Sequence, residues 1–425
     1  MTRMERLPVR GYVSSPDADR DFPHTLAPAD CQGDRSSTGQ RAVRVAVICD
    51  FREENWPSMD LVGDMLYRYL DRDQGNGITP TQVQPALRRR LVRVPISRQL
   101  GWNVDRLINR FGDYPLWMRR EYRRFDVFHV VDHSYSQLIH NLPRGRTVVT
   151  CHDLDTFRCL FEPGRDMRPA WFRAMTRRIL NGFRLAAHVI TVSSAIREEL
   201  LGYGLFSPER ISVIPNGVHP ACSPFPDPLA DAHVARFLIS DSRRPIWLLN
   251  VGSTVERKRI DVLLRVFAAV RKELPQACLL RTGGPFTGSQ QQLVQELQLD
   301  GAILVLPFLE RNVLAAVYRR ASMLLHTSEA EGFGLPLIEA MACGCPVVAS
   351  DVPVLHEVGG EAVTFCPVAD VPVWSQTVVR LLREREERNS EWEVRRQQAL
   401  ERAAYFTWNE NARQTASIYQ KLFHS

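Results

Sequence analysis

Lysine is scarce in this sequence of 425 residues, which contains three lysines among 54 basic residues. Long apolar runs are missing as well, since no stretch approaches the roughly 18 residues that a membrane-spanning helix needs. The first residues lack the charged, apolar and small-residue segments of a secretory signal peptide. These absences argue against a membrane-spanning or exported protein, and we expect a cytoplasmic location.

Zinc and dinucleotide motifs are also absent. The nine cysteines form no CxxC pair and the eleven histidines form no HExxH motif, so we expect free thiols and no structural zinc. Neither half of the chain opens with a strand followed by GxGxxG and an acidic residue about 20 positions on. This argues against a Rossmann-type oxidoreductase.

The formal net charge of +6 is unevenly distributed. The segment from Arg88 to Arg124 holds eleven arginines and three acidic residues, with five aromatic residues between them. Two interpretations stay open: a solvated helical face, or peripheral contact with an anionic membrane at the inner membrane surface. The segment has no stacking motif, so we expect no nucleic-acid partner.

Strand and helix patterns alternate in two series. Residues 1–40 are rich in Pro, Asp, Ser and Gly and are predicted to be a flexible leader. A Pro- and Gly-rich break near residues 215–228 separates the two series. The predicted parts are therefore an acceptor-side domain at 41–215, a nucleotide-sugar-binding domain at 216–405 and a helix at 406–425 that returns to the first domain.

Strands separated by helices predict parallel sheets, because parallel neighbours need crossover connections. The predicted fold class is α/β, with two Rossmann-like, doubly wound parallel-sheet domains facing each other across a cleft. Ligands of such sheets bind at the carboxyl ends of the strands. We therefore expect the functional residues in loops that follow strands.

The most informative stretch is SEAEGFGLPLIEAMACG at 328–344, which follows a predicted strand and begins a helix. Pro336 suits the first helical turn and Gly344 suits the helix exit. The free N–H groups of a helix N-terminus favour a phosphate. We therefore predict a diphosphate site formed by Gly332, Phe333, Gly334 and Leu335.

Two carboxylates flank this predicted site, Glu331 before the helix and Glu339 one turn inside it. Beside a diphosphate, a carboxylate is useful only if it accepts hydrogen bonds from sugar or ribose hydroxyls. The alternative is that Glu331 merely complements the helix dipole and that Glu339 is an exposed surface residue.

A basic loop, VGSTVERKR at 251–259, places Arg257 and Lys258 after a predicted strand. Cations at this position would neutralise a diphosphate leaving group as its charge develops. Because lysine is so rare in this chain, Lys258 favours a specific role over a solvated basic turn.

Histidine and glycine follow other predicted strands. TCHD places His152 and Asp153 at the cleft, where a histidine can bond a sugar hydroxyl, and RTGGP places Gly283 and Gly284 near a nucleotide. Asp153 and the two glycines are predicted contacts of the donor or acceptor. His133 is a weaker candidate, for which packing is the simpler interpretation.

With these motifs the sequence resembles the retaining family 4 glycosyltransferases, which have the GT-B fold, across nearly all of residues 43–424. The resemblance is carried by the E-x7-E stretch EGFGLPLIE, the RKR loop, VIPNGV, TCHD and ITVSSAIREEL. It implies transfer of a hexose-type sugar from a nucleotide diphosphate sugar to a glycan, lipid-linked or small-molecule acceptor. It also implies that no cofactor or metal ion is needed.

The resemblance further assigns roles to single residues. Glu331 would contact the donor sugar, Glu339 the nucleotide ribose, and Arg257 and Lys258 the diphosphate, while His152 and Glu331 would be the catalytic residues.

The sequence departs from the family pattern at two places. Ser253 stands where many members carry an arginine, and DFREENWPSMDLVGDML at 50–66 replaces a double-glycine loop, which leaves the acceptor open. A non-catalytic sugar-nucleotide-binding or scaffold protein of the same fold is the alternative function.

Overall fold

The computed structural model describes residues 41–73, 75, 77–91, 97–164, 166–238, 245–387 and 390–425. The predicted leader at 1–40 lies outside the described residues. Val43–Ser425 form one compact unit, and this unit contains two six-stranded sheets whose strands are all parallel.

The first sheet has the order β2-β1-β3-β4-β5-β6. Its strands are β1 Val43–Ile48, β2 Ile78–Val83, β3 Val127–Val130, β4 Thr147–Cys151, β5 His188–Thr191 and β6 Ile211–Val213. The helices of this half are α1 Pro57–Arg72, α2 Arg98–Ile108, α3 Tyr114–Glu121, α4 Arg158–Phe161, α5 Ala170–Arg184 and α6 Ser194–Gly202.

The second sheet has the order β12-β11-β10-β7-β8-β9. Its strands are β7 Ile246–Val251, β8 Ala277–Thr282, β9 Ile303–Val305, β10 Met323–His326, β11 Val347–Ser350 and β12 Thr364–Cys366. The remaining helices are α7 Pro228–Phe237, α8 Ile260–Glu273, α9 Gly288–Glu296, α10 Arg311–Arg320, α11 Leu335–Ala342, α12 Pro353–Gly359, α13 Val371–Glu386, α14 Ser390–Ala403 and α15 Trp408–His424.

The central strands are apolar on both faces because helices cover both sides of each sheet. In β1, Val45 and Val47 belong to one hydrophobic cluster, and Ala46 and Ile48 belong to the cluster on the opposite face. Such strands read as continuous apolar runs. The α/β fold class, with two doubly wound parallel sheets, is therefore confirmed, whereas the domain boundaries stay predictions.

The sequence patterns missed two edge strands and several helices, among them α7 and α13. The strand β2 has the sequence ITPTQV, which is polar and contains a proline that only an edge strand tolerates. The other missed strand, β12, is three residues long. The helix α7 begins at Pro228, the last residue of the segment predicted as a Pro- and Gly-rich break. The sequence patterns do not predict α13 either.

The last helix packs against the first sheet. Trp408, Ala416 and Tyr419 of α15 belong to the same hydrophobic cluster as Val45 and Val47 of β1. The hydroxyl of Tyr419 lies 2.5 Å from Nδ1 of His129 on β3. One face of the first sheet is thus covered by the C-terminal segment.

No helix within the described part of the chain is both long and apolar enough to span a membrane.

Candidate active site

The candidate site lies where the carboxyl ends of the two sheets meet. In the second sheet, β7 has β10 on one side and β8 on the other, so the loops after β7 and β10 leave the sheet at its topological switch point. The loop after β7 carries Arg257 and Lys258, and the loop after β10 carries Glu331. The first sheet contributes His152 and Asp153, which follow β4.

A glycine sets the start of α11. Gly334 has a φ of 96°, a left-handed conformation that suits glycine, and it directly precedes the first helical residue Leu335. Pro336 occupies the first turn, as predicted from the sequence. The helix α11 therefore begins at Leu335, and Gly334 separates it from Glu331–Phe333.

The side chain of Glu331 is almost fully buried and lies among Lys258, His326 and Arg257. One of its carboxylate oxygens lies 2.5 Å from Nζ of Lys258 and 2.7 Å from Nε2 of His326. The other lies 3.7 Å from a guanidinium nitrogen of Arg257. Burial alone would raise the pKa of the Glu331 carboxyl, but Lys258, His326 and Arg257 outweigh it and hold this pKa well below the ordinary value.

Arg257 connects the two sheets. Its guanidinium pairs with Asp153 at 3.3 Å and with Asp155 at 2.6 Å, both in the loop after β4. It also donates a hydrogen bond of 3.0 Å to the carbonyl oxygen of Ala330. The cation predicted to hold a diphosphate is thus bound by two carboxylates of the opposite domain.

Glu339 is buried, so the alternative of an exposed surface carboxylate is wrong. The hydroxyl of Tyr318 donates to one carboxylate oxygen at 3.0 Å, and Arg311 pairs with the other at 3.1 Å. Arg311 also donates to the carbonyl oxygen of Pro57 at the start of α1. Burial raises the pKa of the Glu339 carboxyl, and Arg311 and Tyr318 partly oppose this effect.

His152 is buried and uncharged. Its Nε2 lies 2.8 Å from the carbonyl oxygen of Val131. Because a carbonyl oxygen can only accept a hydrogen bond, this nitrogen carries the proton, and Nδ1 is an acceptor. Burial lowers the pKa of His152, with smaller and mixed effects from Asp132 and His133.

His133 packs in the wall of the site. Its ring contacts those of Phe157 and Phe183 at centroid distances of 5.5 and 6.2 Å. Its Nδ1 lies 3.4 Å from the backbone nitrogen of His152, and its Nε2 lies 3.8 Å from a carboxylate oxygen of Asp153. These contacts fit the packing interpretation, in which His133 supports His152 and Asp153.

Gly283 and Gly284 lie after β8, against the loop that follows β7. Their φ angles are 117° and 110°, and a side chain at Gly283 would overlap the carbonyl oxygen of Gly252. Arg281, which is fully buried, donates to the carbonyl oxygens of Gly252 and Gly284. These contacts hold the two glycine loops together.

Three residues of the site were missed from the sequence. His326 ends β10 five residues before Glu331, Asp155 follows His152 by three residues, and Arg311 begins α10. The first two lie at carboxyl ends of strands, a signal that could have identified them. Arg311 gave no such signal, because its contact with Glu339 depends on the packing of α10 against α11.

The two sheets touch at the predicted diphosphate site. The hydroxyl of Ser193 donates to the carbonyl oxygen of Gly332 at 2.9 Å, and a side chain at Gly332 would overlap the carbonyl oxygen of His152. Nearby, the carboxylate of Glu357 on α12 accepts hydrogen bonds of 2.7 and 2.9 Å from the backbone nitrogen of Ser194. Glu357 thereby complements the N-terminus of α6 across the cleft.

Two cavities are lined by residues from both halves of the structure. The α4–α6 cavity is bounded by α4, α6 and the loops after β4, β7 and β10. The α1–α10 cavity lies between α1 and the start of α10. The lining of the α4–α6 cavity includes Asp155, Arg158, Phe161, Glu199, Tyr203 and Glu331. The lining of the α1–α10 cavity includes Asp60, Asp64, Arg68, His219, Phe308 and Arg311.

No group of three or more His, Cys, Asp or Glu side chains in the described ranges is arranged to hold a metal ion.

Two family models match the chain. The model described as glycosyltransferase family 4 matches residues 65–221, and the model described as glycosyl transferases group 1 matches residues 239–396. The O-antigen chain mannosyltransferase B of Escherichia coli is 28% identical over 72% of this chain and 77% of its own length. The alignments with two other curated relatives cover 62% and 55% of the lengths of those relatives.

Solved structures share the architecture. Sucrose-phosphate synthase from Thermosynechococcus elongatus superposes with a TM-score of 0.69 at 20% identity, covering 90% of this chain and 99% of that one. Anabaena HepE in complex with UDP and glucose gives a TM-score of 0.65 at 15% identity, covering 89% and 100%. At these identities the likeness concerns the fold.

The close contact at Gly332 predicts how a methyl side chain at this position would change the spacing of the two sheets. Gly332→Ala should hold the two sheets apart, because the new side chain would overlap the carbonyl oxygen of His152. We expect a larger radius of gyration in small-angle X-ray scattering, without global unfolding in thermal melting. Gly288→Ala is the matched control, since a side chain there meets no atom within 4 Å. An unchanged radius for Gly332→Ala would contradict the described contact.

Proposed function

The chain belongs to the family 4 glycosyltransferases with the GT-B fold, and on this basis we propose that it transfers a hexose from a nucleotide diphosphate sugar with retention of anomeric configuration. One observation carries the proposal: Arg257, Lys258 and Glu331 meet beside the N-terminus of α11, across the cleft from His152. Mannose is the proposed sugar, because the E. coli relative is named as a mannosyltransferase.

The proposed donor lies along the N-terminus of α11. The diphosphate would accept hydrogen bonds from free N–H groups of Gly332, Phe333, Gly334 and Leu335, which the helix dipole also favours. The ribose would lie at Glu339. Because Arg311 pairs with Glu339 and lines the α1–α10 cavity, we place the nucleobase toward that cavity.

Cations at the site support cleavage of the bond between sugar and diphosphate. Negative charge develops on the departing diphosphate, and Arg257 and Lys258 lie where they can stabilise it. We propose that the diphosphate displaces Asp153 and Asp155 from Arg257. These two cations would supply the positive charge locally, so we propose that no metal ion or other cofactor is required.

His152 and Glu331 would orient the donor sugar. The free Nδ1 of neutral His152 can accept a hydrogen bond from a sugar hydroxyl. Glu331 stays ionised because its pKa is held low, so it too can only accept. Both groups place partial negative charge near an anomeric carbon that becomes positive during transfer, which would stabilise the transition state. Asp153, Gly283 and Gly284 remain predicted contacts.

Two substitutions separate the proposed roles of the glutamates. Glu331→Gln should lower kcat, because its contact strengthens as the anomeric carbon gains charge. Glu339→Gln should mainly raise the donor KM, because the ribose changes little during reaction. A hydrogen bond to a charged group contributes about 1.5 to 3 kcal/mol, so changes of about tenfold to a hundredfold are expected. Initial rates at varied GDP-mannose concentration measure both parameters.

The control is Glu361→Gln, which alters an exposed carboxylate outside the site. Rates should be equal with and without a chelator, and thermal melting checks folding. Near-normal kinetics in both glutamate variants would refute the assigned roles. Nucleotide-sugar binding without transfer or hydrolysis would favour the non-catalytic alternative.

We also propose that the helices of the Arg88–Arg124 segment contact an anionic membrane that carries a lipid-linked acceptor. Leu100, Ile108 and Leu116 are each more than 40% exposed along α2 and α3. Exposed arginines lie at the end of α3 and just beyond it: Arg119, Arg120, Arg123 and Arg124. Exposed apolar residues beside arginines suit the interface of an anionic bilayer.

Part of the segment is packed against the first domain, and a solvated face stays the alternative for its exposed side chains. Arg106 and Arg110 pair with Glu54 at 3.1 and 3.5 Å, and Arg110 is buried. The aromatic residues of the segment pack inward as well: Trp102, Phe111, Tyr114, Trp117 and Tyr122. Within the described part of this segment, the exposed leucine, isoleucine and arginine side chains are therefore the ones that we expect to contact a membrane.

Vesicle flotation tests this surface. The wild type should float with phosphatidylglycerol vesicles at low salt and less at moderate salt, because screening weakens the attraction. Each arginine near an anionic bilayer contributes about 1 kcal/mol, so the double substitution Arg119→Ala with Arg120→Ala should weaken binding about thirtyfold. The charge-matched control replaces the exposed Arg236 and Arg265. Wild-type protein that stays unbound at low salt would refute the proposal.

A further inference from the structure

The α4–α6 cavity adjoins the proposed donor site but lies on the side of the first sheet. It shares Glu331 and Arg257 with that site, and its other walls come from α4, α6 and the loop after β4. A group in this cavity would therefore face the donor sugar from the opposite domain. This is the position that an acceptor must occupy if the proposed function is correct.

One wall of the cavity is aromatic. The rings of Phe161 and Tyr203 stack with centroids 4.2 Å apart and an interplanar angle of 18°. Tyr203 is 39% exposed although it lines the cavity. Flat aromatic surfaces provide apolar contact area together with a polar hydroxyl, which suits the C–H face of a sugar ring.

The remaining lining is dominated by carboxylates. Asp155 and Glu199 line the cavity together with Asp153 and Glu162. Burial raises the pKa of Glu199 and of Asp155 above their ordinary values, and neighbouring carboxylates raise both further. A carboxylate accepts hydrogen bonds from hydroxyl groups, but another anion placed among these groups would be repelled.

The two arginines of the cavity are already engaged by its acids. Arg158 pairs with Asp155 at 2.7 Å, and Arg257 pairs with Asp155 at 2.6 Å. Arg257 is also the group that we assign to the donor diphosphate. An anionic acceptor would therefore find these cations compensated and would have to compete for Arg257 with the donor.

We infer that the α4–α6 cavity binds the reacting sugar ring of the acceptor, and that it selects an uncharged ring over one that carries a phosphate. The aromatic wall contacts the ring face, and the carboxylates accept hydrogen bonds from its hydroxyls. This inference rests on the proposed function, because that function places the donor sugar beside Glu331. It names a glycan end as the acceptor and disfavours a phosphorylated small molecule.

Saturation-transfer NMR tests the inference without a known acceptor. The probes are the methyl α-pyranosides of mannose, glucose and galactose, and mannose 6-phosphate, each added to full-length protein saturated with GDP. We expect at least one neutral glycoside to bind, and at least tenfold tighter than mannose 6-phosphate. Tyr203→Ala and Glu199→Gln should each weaken that binding several-fold.

Two further variants test whether the charge of Glu199 determines the preference for an uncharged ring. Glu199→Lys should narrow or reverse the preference for the uncharged ring, because it replaces a repelling charge with an attracting one. Glu209→Gln, at an exposed carboxylate on another loop, should leave binding unchanged, and thermal melting confirms that each variant folds.

Three results would overturn the inference: no saturation transfer to any neutral glycoside, equal or tighter binding of mannose 6-phosphate, or glycoside binding that neither Tyr203→Ala nor Glu199→Gln alters. Affinity for GDP, measured by calorimetry on the same samples, reports on the proposed donor site separately. Failure of the acceptor inference can therefore be distinguished from failure of the proposed function.

Discussion

The guanidinium group of Arg257 links the two sheets of this protein at the candidate site. Arg257 leaves the second sheet after β7, pairs with Asp153 and Asp155 of the first sheet and bonds the backbone beside Glu331. These ion pairs are partly buried, so removing one partner leaves the other charge less well compensated. A diphosphate that binds Arg257 must therefore displace two carboxylates. In our account, donor binding and the contact between the domains are coupled through this side chain.

The sequence predicts those parts of the fold that short-range patterns determine. Apolar runs located the central strands, and Pro336 with its neighbouring glycines located the N-terminus of α11. The edge strand β2 is not predicted by these patterns, because its polar, proline-containing sequence has no apolar run. The burial of Glu339 is not predicted for another reason, since its partners Tyr318 and Arg311 lie on a different helix. Contacts between elements distant in sequence are set by packing, which no local pattern records.

Charge is partitioned within the cleft. On the side that we propose for the donor, Arg257, Lys258 and a helix N-terminus would favour a diphosphate. On the side that we propose for the acceptor, carboxylates and stacked aromatic rings would favour hydroxyl groups. Glu331 lies at the border, ionised by its cationic neighbours yet able to accept hydrogen bonds from a sugar. The overall charge of +6 gives no indication of this local distribution.

The central claim is that the donor diphosphate binds between Arg257, Lys258 and the N-terminus of α11. The most direct test is a crystal structure of the protein with GDP-mannose or its product GDP. Our account predicts phosphate oxygens within hydrogen-bonding distance of Arg257, Lys258 and backbone nitrogens among Gly332–Leu335, with Arg257 released from Asp155 and the ribose at Glu339. A diphosphate bound elsewhere, with the ion pairs between Arg257 and both aspartates intact, would contradict it.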